Sequence, residues 1–207
     1  MTRSMFLLSA VASLLLTSCS ETPPAAEKKE PEKAPEPITG QSALYRMYQV
    51  ARSWAPDAKV LKMNSMLLAE VPNVPPGKAA AWQATYTSET RSQARTYTYS
   101  IIEDLPNNLH KGVFAGLEQG FGGSQGVNAP FLIAAVKTDT DAAYKTALEQ
   151  AADYDKRNPG KPITLLLEKN PKFPDPVWRV VWGESVGTSN FSIFVDASTG
   201  LFLEKMR

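Results

Sequence analysis

The chain has 207 residues, 43% of them hydrophobic, and carries 22 Lys and Arg against 21 Asp and Glu. Binding to nucleic-acid phosphates needs a marked excess of positive charge, so this balance argues against a nucleic-acid partner. The only cysteine is Cys19, which excludes a disulfide within the chain. The folded part must therefore hold together by packing.

Residues 1–18 have the layout of a secretory signal peptide. Arg3 supplies a positive charge, residues 5–16 form an apolar run, and Thr17 and Ser18 lead to Cys19. The apolar run is about a dozen residues long, whereas a helix needs roughly 20 to span a bilayer. The pattern predicts export and cleavage.

The four residues Leu16-Thr17-Ser18-Cys19 closely resemble the lipobox of bacterial lipoproteins. The resemblance implies that Cys19 is diacylated, becomes the first residue of the mature chain and is then acylated on its amine, for example with palmitate. Two or more acyl chains give stable membrane anchoring. In that family an Asp after the cysteine commonly signals inner-membrane retention, so Ser20 favours the outer membrane, facing the periplasm, in a cell with two membranes. The alternative is an ordinary signal peptide with an incidental cysteine.

The segment that follows the cysteine has the composition of a tether. Residues 21–38 hold five of the 16 prolines, many Glu and Lys, and few apolar side chains. Such a segment cannot bury enough surface to fold, and its prolines stiffen it. The sequence predicts a lipidated cysteine and an extended spacer over residues 19–38.

A first α+β module is predicted over residues 40–105. Apolar side chains three and four residues apart predict a helix from Ser42, as N-cap, to Ala55. Two runs of alternating residues then predict a hairpin with an aromatic face and a hydroxyl-rich face. Its polar face holds Gln83, Thr85, Thr87, Thr96, Thr98 and Ser100.

The same order of elements returns over residues 137–207. Asp139 or Asp141 is predicted to cap a helix that runs to about Tyr154. The segment "PITLLLEK" predicts a strand, and residues 177–205 predict three more. Trp178 corresponds to Trp82 in the first module, which indicates an internal repeat.

Residues 141–205 resemble the PepSY domain, a small extracytoplasmic module of one helix on an antiparallel sheet. The matching residues are Trp178-Arg179-Val180 and the turn Val195-Asp196-Ala197-Ser198-Thr199-Gly200. The expected fold is α+β, with two helix-on-sheet modules joined by a glycine-rich connecting loop over residues 106–136. One continuous sheet shared by both modules is the alternative.

Candidate catalytic residues do not assemble into a recognisable set. "GGSQG" around Ser124 and "GESVG" around Ser185 match a nucleophile pattern that needs a strand-to-helix turn, and neither has that context. The single histidine, His110, precedes both serines, whereas the hydrolase class places it after them. We expect no catalytic residue, no metal site and no cofactor.

Two surfaces are candidates for a partner. Thr85, Thr87 and Thr98 lie on the polar face of the first hairpin, and Gly122 and Gly123 lie in the glycine-rich connection, where loops commonly bind partners. The aromatic side chains that alternate with the polar ones are expected in the core instead. They are Trp82, Tyr86, Tyr97, Tyr99, Trp178 and Trp182.

These features together predict a non-catalytic, lipid-anchored module that binds a protein or peptide in the cell envelope. PepSY modules accompany peptidase propeptides, so the resemblance implies restraint of a peptidase as one form. A carrier of a small apolar ligand or an envelope lipid is the alternative, and it would need an apolar cavity between helix and sheet. A serine hydrolase is the third reading.

Acylation of Cys19 is directly measurable. Mass spectrometry of the mature N-terminus from membranes should find Cys19 as the first residue, carrying acyl chains. Cys19→Ser should remove the acyl groups, because serine lacks the thiol that is acylated. An unmodified Cys19, or a mature chain that begins upstream of it, would rule the modification out.

Overall fold

A computed structural model of the protein describes residues 36–123 and 128–206. The helices in these ranges are α1 (Gly40–Trp54) and α2 (Thr140–Arg157). The strands are β1 (Ile38–Thr39), β2 (Lys59–Met66), β3 (Lys78–Ala79), β4 (Ala81–Ser88), β5 (Gln93–Ser100), β6 (Gly112–Gly120), β7 (Ile163–Glu168), β8 (Val177–Trp182), β9 (Ser192–Asp196) and β10 (Phe202–Met206).

Eight strands form one sheet in the order β10-β9-β8-β7-β2-β4-β5-β6, and all neighbours in it are antiparallel. Strands β1 and β3 pair separately beside it. Both helices pack on the sheet face that carries the core tryptophans. The other face points away from the helices.

The two halves of the chain contribute equivalent parts of this sheet. Helix α1 precedes β2, β4, β5 and β6, and helix α2 precedes β7, β8, β9 and β10. The halves join where β2 pairs with β7, and the described residues belong to one compact unit. The α+β class is confirmed, and the sheet is continuous, as in the alternative expectation.

The prediction of a glycine-rich loop is wrong for Gly112–Gly120, which form the edge strand β6. Strand β2 was not anticipated by the period-two pattern either. A bulge interrupts the pairing of each strand. The pairing of β6 with β5 shifts between Arg95 and Tyr97, and the pairing of β2 with β4 shifts between Val60 and Lys62. A bulge sets two residues against one and so breaks the alternation that marks a strand.

The expected aromatic core is confirmed. Five of these aromatic side chains are fully buried: Trp82, Trp178, Trp182, Tyr86 and Tyr97. The sixth, Tyr99, is 6% exposed. The indole N–H of Trp82 donates to the carbonyl oxygen of Ile38 (3.1 Å), and that of Trp178 donates to the carbonyl oxygen of Thr138 (2.8 Å). Each acceptor lies two residues before a helix begins. The repeat therefore extends to individual hydrogen bonds.

The helix N-termini are capped across the two halves. The prediction of Ser42 as N-cap is wrong, because α1 begins at Gly40. The Gly40 N–H donates to Thr140 Oγ1 (2.7 Å), and the Gln41 N–H donates to the Asp139 carboxylate (2.9 Å). Asp139 also caps α2, as predicted, by accepting from the Thr140 N–H (2.7 Å). One end of α1 thus depends on residues about 100 positions away.

Gly40 is required by the closeness of this contact. A Cβ atom at Gly40 would lie 2.6 Å from Thr140 Cγ2, 2.9 Å from the Trp178 ring and 3.1 Å from the Trp82 ring. All of these atoms belong to buried residues. The core offers no room for a methyl group at this position.

We expect Gly40→Ala to lower the free energy of unfolding by about 1–3 kcal/mol, the usual cost of overpacking a filled core. Helix propensity alone would act in the opposite direction, by up to about 1 kcal/mol. Urea denaturation of both proteins measures the difference. Gly120→Ala is the matched control, since a Cβ atom there meets nothing within 4 Å. A Gly40→Ala protein as stable as the wild type would contradict the close packing.

Candidate functional site

Strands β2 and β7 meet at the centre of the sheet and then separate. They pair at only three positions, the last of which sets Asn64 opposite Leu166. Beyond that pair, β2 follows β4 as far as Met66, and the first residue of β7, Ile163, pairs with Trp182 on β8. The sheet therefore splits between its two halves.

A groove with a volume of about 920 Å³ opens at this split, and we call it the interstrand groove. One wall consists of the end of β2 and the proline-rich segment 67–77. The other consists of residues 160–163 and Tyr144 from α2. Leu67 is 50% exposed on the first wall, so apolar surface is accessible to a ligand there. Pockets for small molecules typically occupy 300–1,000 Å³.

Ser65 lines the groove next to the last β2–β7 pair. Its Oγ accepts a hydrogen bond from the main-chain N–H of Leu165 at 2.9 Å, in place of a main-chain carbonyl. Both residues are buried. This side-chain bond marks the point at which regular pairing between β2 and β7 ends.

Polar groups lie around the apolar walls. Lys78, Lys161 and Glu184 line the groove. The Lys161 ammonium also donates to the Tyr154 hydroxyl at 2.8 Å. Burial raises the pKa of the Tyr144 hydroxyl, and the nearby charge of an aspartate in α2 adds to the rise. Tyr144 is therefore neutral at physiological pH and can donate or accept a hydrogen bond.

The predicted hydroxyl surface lies elsewhere, on the sheet face opposite the helices. Thr85 Oγ1 lies 3.0 Å from Thr96 Oγ1 across β4 and β5. Thr87 is 1% exposed, so it offers no accessible side chain. The hydroxyl oxygens of Thr87 and Thr98 are buried without a hydrogen-bond partner among the described residues. A partner on this face stays a prediction, and Thr85 on it is half-buried.

The other predicted partner-binding residues follow β6. Gly122 and Gly123 are exposed, and Gly123 has a positive φ of 94°. Just before them, the Phe121 N–H donates to the Ser92 carbonyl oxygen at 2.9 Å. The glycines therefore lie at one edge of the sheet, away from the interstrand groove.

Ser185 and His110, two of the candidate catalytic residues, are far apart. Ser185 lies in the turn after β8, where its Oγ is 2.9 Å from Thr188 Oγ1. His110 precedes β6, with Nδ1 2.8 Å from a Glu103 carboxylate oxygen. Four strands separate β8 from β6 in the sheet. Ser124 and Cys19 lie outside the described residues.

Glu103 has a structural role beside His110. Its carboxylate accepts from the Lys111 main-chain N–H at 2.8 Å, and this bond, with the contact to His110, lowers the pKa of Glu103. In residues 36–123 and 128–206, no cluster of three or more His, Cys, Asp or Glu could hold a metal ion. Neither helix in those ranges has the length and hydropathy needed to cross a bilayer.

The interstrand groove was missed by sequence reasoning. The segment "VPNVPPG" predicts only a bend, although its valines and prolines form a groove wall. The opposite wall, from Tyr144 and residues 160–163, lies about 70 to 90 residues later in the sequence, and only the fold brings the two together. The one local signal is a set of apolar residues between prolines, without a helical or strand period.

No family model matches the chain, and no curated protein matches it. Among solved structures, the chain is similar to a protein of Clostridium difficile 630 that has been named a lipoprotein on a provisional basis. The TM-score is 0.48 and the identity 8%, over 79% of this chain and 91% of that one. A similarity at this level establishes neither a shared family nor a shared function.

We expect Ser65→Ala to lower the free energy of unfolding by about 1–3 kcal/mol, because it leaves the buried Leu165 N–H without an acceptor. Ser92→Ala is the control, since Ser92 is exposed. Thermal and urea unfolding measure both. Faster amide exchange at Leu165 in the Ser65→Ala protein would localise the effect, and unchanged exchange there would contradict it.

Proposed function

We propose that this protein is a lipid-anchored, non-catalytic module of the bacterial cell envelope that binds a peptide segment of another envelope protein in the interstrand groove. The observation that carries the proposal is the split between β2 and β7, which opens an accessible groove with walls from both halves of the chain. Clefts between structural units are common sites of ligand binding.

The N-terminal sequence supports the location. Leu16 to Cys19 resemble a lipobox, and the Pro-, Glu- and Lys-rich composition of the following residues is that of a stiff spacer. At up to roughly 3.1 Å per residue, such a spacer would let the folded unit reach partners some tens of Å from the bilayer. An anchored binding module uses this reach to search for a partner.

A protein or peptide partner is favoured over a small apolar ligand. A carrier would enclose its ligand between the helices and the sheet, where Trp82, Trp178 and Trp182 are fully buried. All three indole N–H groups donate hydrogen bonds to protein oxygens. A ligand in that space would have to displace packed and hydrogen-bonded core side chains, at several kcal/mol.

Restraint of an envelope peptidase is one concrete form of this function. It follows from the resemblance of residues 141–205 to PepSY modules, and the helix and four antiparallel strands in each half are compatible with it. In this form the protein presents a surface and performs no chemistry. Ser185→Ala and His110→Ala should therefore leave partner binding unchanged.

A photo-crosslinking amino acid placed at single positions of the full chain in living cells tests the proposal. Leu67 in the groove should yield a crosslinked adduct with a single envelope protein, mapped by mass spectrometry to one segment of that protein. Leu201, which is 65% exposed and precedes the edge strand β10, is the matched control and should not capture the same segment.

A third position, Thr85, tests the hydroxyl surface in the same experiment. Capture of a discrete partner from Thr85 and none from Leu67 would move the binding site to the face opposite the helices. Capture of the same mixture of proteins from Leu67 and Leu201 would contradict a binding groove altogether.

A further inference from the structure

The main chain of Ile163 faces the interstrand groove. The Gly183 N–H donates to the Pro162 carbonyl oxygen at 2.8 Å, so the main chain of Pro162 points toward β8. The Leu165 N–H donates to Ser65 and therefore points toward β2. Because consecutive residues of a strand direct their main-chain groups to opposite edges, Ile163 shares the direction of Leu165.

No strand occupies that edge at Ile163 among the described residues. The ladder between β2 and β7 ends at Asn64 and Leu166, and β2 then turns into the proline-rich segment 67–77. A strand edge with unpaired N–H and C=O groups is a template for pairing with another chain. Here the edge lies inside a groove with apolar walls.

We infer that the groove binds its partner by strand addition, as an extended peptide that exchanges main-chain hydrogen bonds with the N–H and C=O of Ile163. The inference rests on the proposed function and specifies the partner that the groove takes. A helical segment would leave Ile163 unpaired, since a helix satisfies its own main-chain groups. Strand addition is a known mode of peptide recognition, in which main-chain bonds give affinity and alternate side chains give specificity.

The groove walls indicate the side chains of such a peptide. Leu67 and Val71 offer apolar contact on one wall. Lys78 brings a positive charge to the groove and Glu184 a negative one, whereas the Lys161 ammonium is directed to the Tyr154 hydroxyl. Charge complementarity across an interface favours the matching partner. The expected segment is extended and apolar at alternate positions, with an acidic side chain opposite Lys78.

The probe is a linear peptide of about six residues, the length of an average strand, selected from a display library on the immobilised full chain. Its amide bonds are replaced one at a time by esters, which removes one N–H donor at each position. The ester at the one position whose N–H donates to the Ile163 carbonyl oxygen should weaken binding about fivefold, the effect of one lost hydrogen bond, and esters at the other positions should have little effect.

Two substitutions at one position test the protein side. Ile163→Pro removes the groove-facing N–H, and proline is tolerated at strand edges. Ile163→Ala keeps that N–H and loses the side chain. Ile163→Pro should bind the peptide about fivefold more weakly than Ile163→Ala, at equal thermal stability. If Ile163→Pro does not fold, the ester series on the wild-type protein decides alone.

The outcomes separate this inference from the proposed function. Peptide binding that Leu67→Asp abolishes, with a loss of affinity at a single ester position, supports strand addition. Binding that Leu67→Asp abolishes, with no ester-sensitive position, leaves the groove as the site and overturns strand addition. Binding that survives Leu67→Asp overturns both, and a peptide paired with the exposed edge strand β6 would give this result.

Discussion

The contact between the N-termini of the two helices is the constraint on which the rest of the fold depends. Thr140 Oγ1 accepts from the Gly40 N–H at 2.7 Å and donates to the Gly77 carbonyl oxygen at 2.5 Å. One buried hydroxyl thus links α1, α2 and the end of the proline-rich segment. Breaking this link would leave buried main-chain groups unpaired, which costs about 1–3 kcal/mol for each.

This contact also fixes the position of the interstrand groove. The proline-rich segment leaves the sheet after Met66 and returns to α2 at Gly77, where a Cβ atom would overlap the main chain of Asp141. The segment is thereby held against the second half of the chain, although it belongs to the first. Its ends are fastened, and the groove lies beneath it where β2 and β7 separate. The same contact between the two halves therefore both connects the repeats and shapes the candidate binding site.

Elements with an uninterrupted local period could be predicted from the sequence. Both helices follow from apolar spacing, and β8 and β9 follow from alternation around Trp178 and Ile193. Strands β2 and β6 escape this reasoning because each lies at a bulge that shifts the alternation by one residue. The alternation of apolar and polar residues reflects which side chains face the core and which face water. A bulge shifts that alternation by one residue, and the amino-acid composition does not reveal it.

The candidate site was beyond sequence reasoning for a different reason. The bond from Leu165 to Ser65 spans 100 positions, as does the bond from Gly40 to Thr140. Neither a period nor a local capping motif encodes such a pair, since each partner alone has an ordinary local environment. The polar face of β4 and β5 was visible in the sequence because its alternation is local. That this face can be recognised in the sequence is no evidence that it binds a partner.

Residue-resolved amide hydrogen exchange of the ligand-free protein tests the open strand edge most directly. Thr164 directs its N–H to β8 and Leu165 directs its N–H to Ser65, so both amides should be protected. The Ile163 amide lies between Pro162 and these two residues and faces the groove. It should exchange orders of magnitude faster than Leu165, at a rate close to that of an exposed loop. Protection of Ile163 equal to that of Leu165 would mean that the edge is already paired, and it would contradict a groove open to an added strand.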